Sequence, residues 1–389
     1  MAVATPLSTS GRFIVDANGK RVRLAGVNWY GASEDHGVPA GLDRVNRHSL
    51  AQLIAAQGFN SVRLPFSVWM VENTHPVDGK YLTANPDLQG KNPLGVYDSC
   101  VNALTQQGLI VIPNCHMLDP GWCCGNDDRN GLWFNDDFPP AKFTDAWQTI
   151  AKRYASNPLV AGMDVKNEPR PAMVRGKTLK PTWGDGGQAD FAAMYTSVGN
   201  MIHQFNPNAL IMCEGLNYAG DLKDAAKHPV QLTKPNKVVY SMHDYASFSH
   251  PDGQDQAAYN NQLHTNGGYL LDSEPHPVPH KTAPVWVSEF GHVASNLTPQ
   301  TTGWWAHIMT WLKDQDVDWC WWALNPTHGE STIPFADPAQ AQRAKQGDNE
   351  PFGLLTQDWS AVGFPAAMSM LKVIMPPRMG PGIGATPHP

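Results

Sequence analysis

No apolar run in this sequence approaches the ~18–20 residues that a membrane-crossing helix needs. A basic region followed by an apolar stretch is also missing from the N-terminus, where Met1-Ala2-Val3-Ala4-Thr5 is too short for a signal peptide. The expectation is either a cytoplasmic protein or a mature chain with an added start methionine. Blocks of like charge are absent, and a formal net charge of -7 argues against nucleic acid or an anionic membrane surface as partner. Cysteine pairs with Cys-x-x-Cys spacing do not occur, so a zinc site of that kind is not expected. A glycine-rich phosphate loop is lacking as well: the segment after the first expected strand reads Trp29-Tyr30-Gly31-Ala32-Ser33. No internal repeat and no Ser/Pro/Thr-rich linker interrupts the chain.

What is present is apolar and aromatic. Hydrophobic residues make up 42% and charged residues 16% of 389, a balance that favours a packed globule over disorder. Continuous apolar runs suggest strands at Arg23–Trp29, Ser61–Phe66, Leu109–Cys115, Val160–Lys166, Ala209–Cys213, Lys237–His243, Val285–Phe290 and Asp318–Leu324. Helices are expected at Ser49–Gln57, Leu94–Gln107, Ala141–Tyr154, Ala189–Phe205, Thr301–Asp314 and Pro365–Ile374, with Asn60, Gly108, Asn157 and Asn206 as stop signals. Strands alternating with helices in this way point to an α/β fold, a (β/α)8 TIM barrel, in preference to a doubly wound sheet. A β-hairpin over Gly11–Val22, turning at Asn18-Gly19, is expected to plug the barrel bottom. The expected division is an N-terminal extension over 1–10, the catalytic barrel over 11–375 and a Pro/Gly-rich tail over 376–389.

Catalytic side chains of such barrels come from the carboxyl ends of the strands. Read in order, those ends carry Arg63, His116, Asn167-Glu168, His243-Asp244-Tyr245, Glu289 and Trp322. A lone histidine there is more often a packing residue, and a lone carboxylate a solvated loop group. The whole series at one end is hard to attribute to packing. The two glutamates define a chemistry. Cleaving a glycosidic bond needs a proton for the leaving oxygen and a carboxylate to meet the cationic sugar carbon. Two glutamates divide this work when their surroundings separate their pKa values. Arg63 is expected to keep Glu289 ionised, Tyr245 to donate to the same carboxylate, and Asn167 to bond a sugar 2-hydroxyl. His116 and His243 are expected to position hydroxyls or the acid, and Trp322 to lie under a sugar ring.

Asn167-Glu168-Pro169, His243-x-Tyr245, Ser288-Glu289-Phe290-Gly291, and Trp322 followed by Asn325-Pro326 resemble glycoside hydrolase family 5, the cellulase family. The likeness runs from about Gly11 to Ile374. Gly26-Val27-Asn28-Trp29-Tyr30-Gly31, Val62-Arg63-Leu64-Pro65-Phe66-Ser67 and Ser241-Met242-His243-Asp244-Tyr245 resemble its bacterial endo-β-1,4-glucanases in particular. The resemblance implies a retaining double displacement without cofactor or metal, with Glu168 as acid/base and Glu289 as nucleophile. It implies a polysaccharide or oligosaccharide substrate, bound through Arg63, His116, Asn167, His243, Tyr245 and Trp322. The alternative polymers are mannan, mixed-linkage glucan, xyloglucan and xylan; a non-catalytic carbohydrate-binding barrel is the alternative from another class. A secreted monomer is expected. Asn114-Cys115-His116 and the loop Leu118–Asn135, with Trp122-Cys123-Cys124, depart from the family pattern.

Other features have competing readings. Cys123 and Cys124 bond to each other, pair elsewhere or stay free; Cys100, Cys115, Cys213 and Cys320 read as buried thiols. Asn126-x-Asp128-x-Asn130-Gly131 with Asp137 resembles a calcium loop, against the default of a polar turn. Trp29, Tyr30, Trp69, Trp122, Trp133, Trp183 and Tyr218 are sugar platforms or core, whereas Trp304, Trp305 and Trp311 read as core. His276 and His280 are weak metal ligands, and Asn296-Leu297-Thr298 is a glycosylation acceptor only in a eukaryotic secretory route.

Overall fold

Strands built from uninterrupted apolar runs have to be covered on both faces. The computed structural model achieves this by closing them into a ring sheathed in helices. It describes residues 3–376, apart from 126–127, 249, 252, 274–280, 294–297, 330, 334–341 and 346. The His276–His280 segment, Asn296 and the tail beyond Pro376 therefore lie outside the described residues.

A hairpin, β1 (Ser8–Ser10) with β2 (Phe13–Val15), precedes the barrel strands β3 (Ala25–Asn28), β4 (Ser61–Ser67), β5 (Ile110–Met117) and β6 (Gly162–Asp164). A surface hairpin of β7 (Ala172–Val174) and β8 (Lys177–Leu179) follows, and then barrel strands β9 (Leu210–Glu214), β10 (Val238–His243), β11 (Val285–Phe290) and β12 (Asp318–Trp321). The eight barrel strands are parallel and close in chain order, β12 pairing back onto β3. The helices are α1 (Arg47–Gln57), α2 (Val68–Glu72), α3 (Pro93–Gln106), α4 (Pro140–Arg153), α5 (Phe191–Phe205), the single turn α6 (Leu216–Ala219), α7 (Gln256–Asn266), α8 (Pro299–Asp314) and α9 (Pro365–Ile374). All eight expected strands and all six expected helices are present. Gly58, at φ 103°, closes α1 instead of Asn60. The Asn60 amide instead holds the edge of β3, through Ala25 N–H and Arg23 C=O. Helix α7 was not expected: only Tyr259 and Leu263 of its eleven residues are buried, so it carries almost no apolar stripe. No helix among the described residues is long and apolar enough to cross a membrane.

The expected hairpin also differs in detail. Its strands pair through a tight turn at Gly11-Arg12, with Ser10 opposite Phe13. The Asn18-Gly19 turn is real but comes next: the Asp16 carboxylate accepts Asn18 and Lys20 N–H, and the chain turns back to bond Val22 N–H to Ile14 C=O. The ribbon places Leu7, Ile14 and Val22 against Leu24, Ile110, Ile112, Leu210, Met212, Val239 and Trp286, all buried. This cluster fills the lower barrel, as expected of a plug.

Alternate residues of a strand face the same way. The inward positions therefore read upward as Leu24-Gly26-Asn28, Ile110-Ile112-Asn114-His116, Leu210-Met212-Glu214 and Val239-Ser241-His243. Each series starts apolar at the plug and ends polar at the carboxyl end. Strand β11 departs from strict alternation. Its pairing with both neighbours shifts register, between Met242 and His243 on one side and between Val287 and Phe290 on the other. Such a bulge re-aims a side chain, and Glu289 thereby joins Ser288 at the mouth. Trimming Ile14 to alanine should cost about 2–5 kcal/mol of unfolding free energy, measured by urea denaturation. An unchanged midpoint would mean that the hairpin is not part of the barrel core.

Candidate active site

The upper barrel is organised by one cation. Arg63, on β4, is completely buried. All five of its N–H donors are used: Nε to Asp164 Oδ2 (2.6 Å), Nη1 to Asn28 Oδ1 (2.9 Å) and Glu289 Oε1 (2.5 Å), and Nη2 to Asn167 Oδ1 (2.7 Å) and Glu214 Oε1 (2.9 Å). Burial alone would lower its pKa, but the three carboxylates outweigh that and hold it well above the ordinary value, so it stays charged. The acceptors are themselves anchored. Asn28 donates to Ser288 C=O and Trp321 C=O, and Asn114 donates to Asp164 Oδ2.

Glu289 rests on this cation. Its second oxygen accepts from Tyr245 Oη at 2.9 Å. Both bonds favour the ionised form, although burial has the larger influence and raises the pKa above the ordinary carboxylate value. The guanidinium thus offsets desolvation without reversing it. Glu168, across the site, has weaker compensation. Burial pushes it to about 7 against the pull of Arg170, Arg63 and Lys166. Its carboxyl meets His243 Nδ1 at 2.9 Å, and the same nitrogen lies 3.6 Å from Glu289 Oε2. Burial lowers His243 to about 4, so the ring is neutral. A neutral ring accepts from protonated Glu168 or donates to ionised Glu168, according to tautomer. Single ligand atoms of Glu168, His243 and Glu289 all fall within 4.8 Å of one another. A metal cation there would compete with Arg63 and Tyr245 for the Glu289 oxygens. Two carboxyls in this arrangement can deliver a proton and a nucleophilic oxygen to one bond.

A family model described as Cellulase (glycosyl hydrolase family 5) matches residues 15–328. The chain belongs to glycosyl hydrolase family 5. It is 28% identical to an endoglucanase of Paenibacillus polymyxa, across 95% of this chain and 87% of the relative. It is 25% identical to the major extracellular endoglucanase of Xanthomonas campestris pv. campestris, across 91% of this chain and 68% of that protein. A hyperthermophilic endocellulase from the archaeon Pyrococcus horikoshii shares the fold, with a TM-score of 0.77 at 24% identity, covering 96% of this chain and 100% of that one.

In this family 5 enzyme, the backbone of Glu168 is as constrained as its side chain. It sits in the left-handed region at φ 43°, which costs a non-glycine residue on the order of 1–3 kcal/mol. Its N–H donates to Glu214 Oε2 at 2.7 Å and its C=O accepts from Arg170 Nη1 at 2.9 Å. Glu214 is raised well above the carboxylate range by burial and by Asp164 beside it. Arg170 is buried in an ion pair with Asp128, and Asp128 also accepts the Cys124 N–H. Gly131 leaves room for this pair, since a Cβ there would lie 2.3 Å from Arg170 O. Asp128 is thus committed to Arg170, and Asp137 pairs with Arg129. Those two positions of the calcium-like motif serve ion pairs, and Asn126 lies outside the described residues.

The other expected residues also converge. Because Arg63 donates to Asn167 Oδ1, the Asn167 amide must turn Nδ2 outward, toward Cys123 Sγ (3.3 Å) and His116 Nε2 (3.5 Å). His116 is buried and held neutral, with Nδ1 on Asn114; it contacts Asn167 rather than the acid. Trp322 stacks with Tyr30 and His116 at ring distances of 5.1 and 5.5 Å, with Trp122 edge-on. Only 7% of it is exposed, so the expected platform is the margin of an aromatic stack. Asp244, between two site residues, turns away to Tyr259, Trp304 and His250. Trp29 and Trp183 are core, with indole N–H groups on Ala40 C=O and His228 C=O, and Trp304, Trp305 and Trp311 are core as expected. Cys123 and Cys124 are joined as a vicinal disulfide, and the other four cysteines are buried thiols.

Sequence reasoning missed Asp164, Glu214 and the Asp128–Arg170 pair. Asp164 was visible as a charge inside an apolar strand, and Glu214 as the residue immediately after Ala209–Cys213. Replacing Arg63 by methionine strands three buried carboxyls, which should cost roughly 3–5 kcal/mol. Burial raises Glu214 and Glu289, so these two ionise only at higher pH in the fold than in the unfolded chain. The variant should therefore lose stability as pH rises, and melting curves at about pH 5 and pH 8 check this. Equal melting temperatures for variant and parent would remove Arg63 from its organising position.

Proposed function

We propose that this family 5 glycoside hydrolase is a retaining endo-β-1,4-glucanase in which Glu168 is the acid/base and Glu289 the nucleophile. The observation carrying this reading is that one oxygen of each carboxyl, together with a His243 ring nitrogen, falls within 4.8 Å of the others, the two carboxyls having unequal partners. Retaining enzymes place these groups about 5–5.5 Å apart, whereas inverting ones leave about 6.5–9.5 Å for a water. In the first step a Glu289 oxygen attacks the anomeric carbon while Glu168 protonates the departing glycosidic oxygen. In the second, Glu168 removes a proton from water, which attacks the same carbon and releases Glu289. Two inversions restore the configuration. Tyr245 and Arg63 hold the nucleophile, and the outward Asn167 Nδ2 is the donor for the sugar 2-hydroxyl. The two relatives named endoglucanase support β-1,4-glucan as the polymer, and the one named extracellular supports action outside the cell.

Reducing-sugar release should be greatest on soluble β-1,4-glucan in a panel that includes mannan, mixed-linkage glucan, xyloglucan and xylan. Preference for another member would keep the mechanism and change the polymer. Glu289→Ala should abolish turnover on every substrate. Glu168→Ala should lose roughly 10²–10⁴-fold on polymer, and far less on a dinitrophenyl cellobioside whose leaving group needs no proton. Full activity of either variant on polymer refutes the assignment.

The pH dependence follows with its sign. The acid must carry its proton, so kcat/KM should fall as pH rises through about 7, where Glu168 ionises. The nucleophile must be ionised, so the acid limb should lie above the ordinary carboxylate value, in the direction Glu289 is shifted. A profile flat through pH 7 and above contradicts the acid role of Glu168.

A further inference from the structure

The Cys123–Cys124 disulfide stands at the site without a part in the double displacement. The two residues are partly exposed, and their sulphurs reach both residues of the Asn167-Glu168 pair. Cys123 Sγ lies 3.3 Å from Asn167 Nδ2 and 3.9 Å from Glu168 Oε2, and Cys124 Sγ lies 3.6 Å from Asn167 Nδ2. The ring is not free to drift. The Cys124 N–H is fixed to Asp128, whose partner Arg170 also grips the Glu168 carbonyl. On its other flank Trp122 packs edge-on against His328 at 4.4 Å and Tyr30 at 5.3 Å.

We infer that this disulfide is a positioning group for hydrolysis: it backs the Asn167 amide and keeps water from one side of the Glu168 carboxyl. The inference rests on the acid/base reading of Glu168. The chemistry suits the task. A disulfide sulphur is a weak acceptor without a proton of its own, so it steers the Asn167 N–H groups without competing for the carboxyl. Two thiols would behave differently, since each S–H is a donor that favours an ionised neighbour.

Glu168 is faced from every side by groups that such a change would leave in place. His243, Glu289 and Tyr245 stand across from it, with Arg63 and Glu214 below. Arg170, Lys166 and Asp128 act on it through space. A change in its titration on opening the disulfide is therefore assigned to lost cover and new S–H donors. Reduction by a dithiol breaks the S–S bond and forms two S–H groups; the dithiol supplies two electrons and two protons and becomes a cyclic disulfide.

The test uses the full-length enzyme, dithiothreitol, and the double variant Cys123→Ser/Cys124→Ser. Thiol titration of the denatured, untreated protein should find the four cysteines that are free in the structure. After reduction it should find all six. Reduced enzyme and double variant should each lose roughly 10- to 100-fold in kcat/KM on soluble β-1,4-glucan. In both, the basic limb should move to lower pH, and the variant should no longer respond to dithiothreitol. A disulfide serving stability alone would lower the melting temperature and leave the limb where it was, which overturns the inference. Six thiols without reductant overturn it as well. Glu168→Ala separates the two levels. If that variant is inactive on polymer while the double variant keeps its pH profile, only this inference falls; if Glu168→Ala is active, the acid/base reading falls with it.

Discussion

A guanidinium with no water around it must find a protein acceptor for each of its five N–H groups, and the upper half of this barrel is built around that demand. Arg63 satisfies it with side chains from β3, β6, β9 and β11 and from the loop residue Asn167. The consequences are geometric before they are electrostatic. Asn167 can present only its NH2 to the cleft. Glu289 is pinned by one oxygen. Glu214, held by Arg63 at one oxygen, uses the other to grip the backbone of Glu168. Burial raises Glu214 and Glu289, with Asp164 adding to the rise at Glu214, while the carboxylates around Arg63 keep it charged.

The two glutamates differ through small asymmetries. Each is buried, so each begins with the same penalty on its charged form. Glu289 recovers part of that loss through direct bonds to a cation and a phenol. Glu168 has a neutral imidazole as its direct partner, and its cations act through space. His243 bridges both, and its own neutrality comes from the same desolvation. One low-dielectric chamber thus separates an acid from a nucleophile through the placement of donors.

Much of this was legible in the sequence because its signals are local. Eight apolar runs mark eight strands, and residues just after such runs must stand at the barrel mouth. Capping residues and apolar stripes mark the long helices. Helix α7 escaped because a mostly exposed helix carries no stripe. The hairpin register escaped because two adjacent turns, at Gly11 and Gly19, compete for one ribbon. Glu214 and Asp164 escaped for another reason: their importance depends on a partner 151 and 101 residues away in the chain, and no local pattern records that. For Trp29 and Trp183 the sequence leaves platform and core equally open, since an aromatic near a loop looks the same whether its indole N–H meets water or a buried carbonyl.

The inward series on each strand, apolar below and polar above, has a further meaning. Residues two apart on one strand, such as Met212 and Glu214, answer to different demands. The lower tier answers to folding, through contacts with the hairpin ribbon. The upper tier answers to turnover, through contacts with Arg63. A lineage of such proteins can therefore repack the floor without disturbing the reaction. The converse freedom is much smaller: five side chains of the upper tier share hydrogen bonds with one arginine, so changes there have to arrive together.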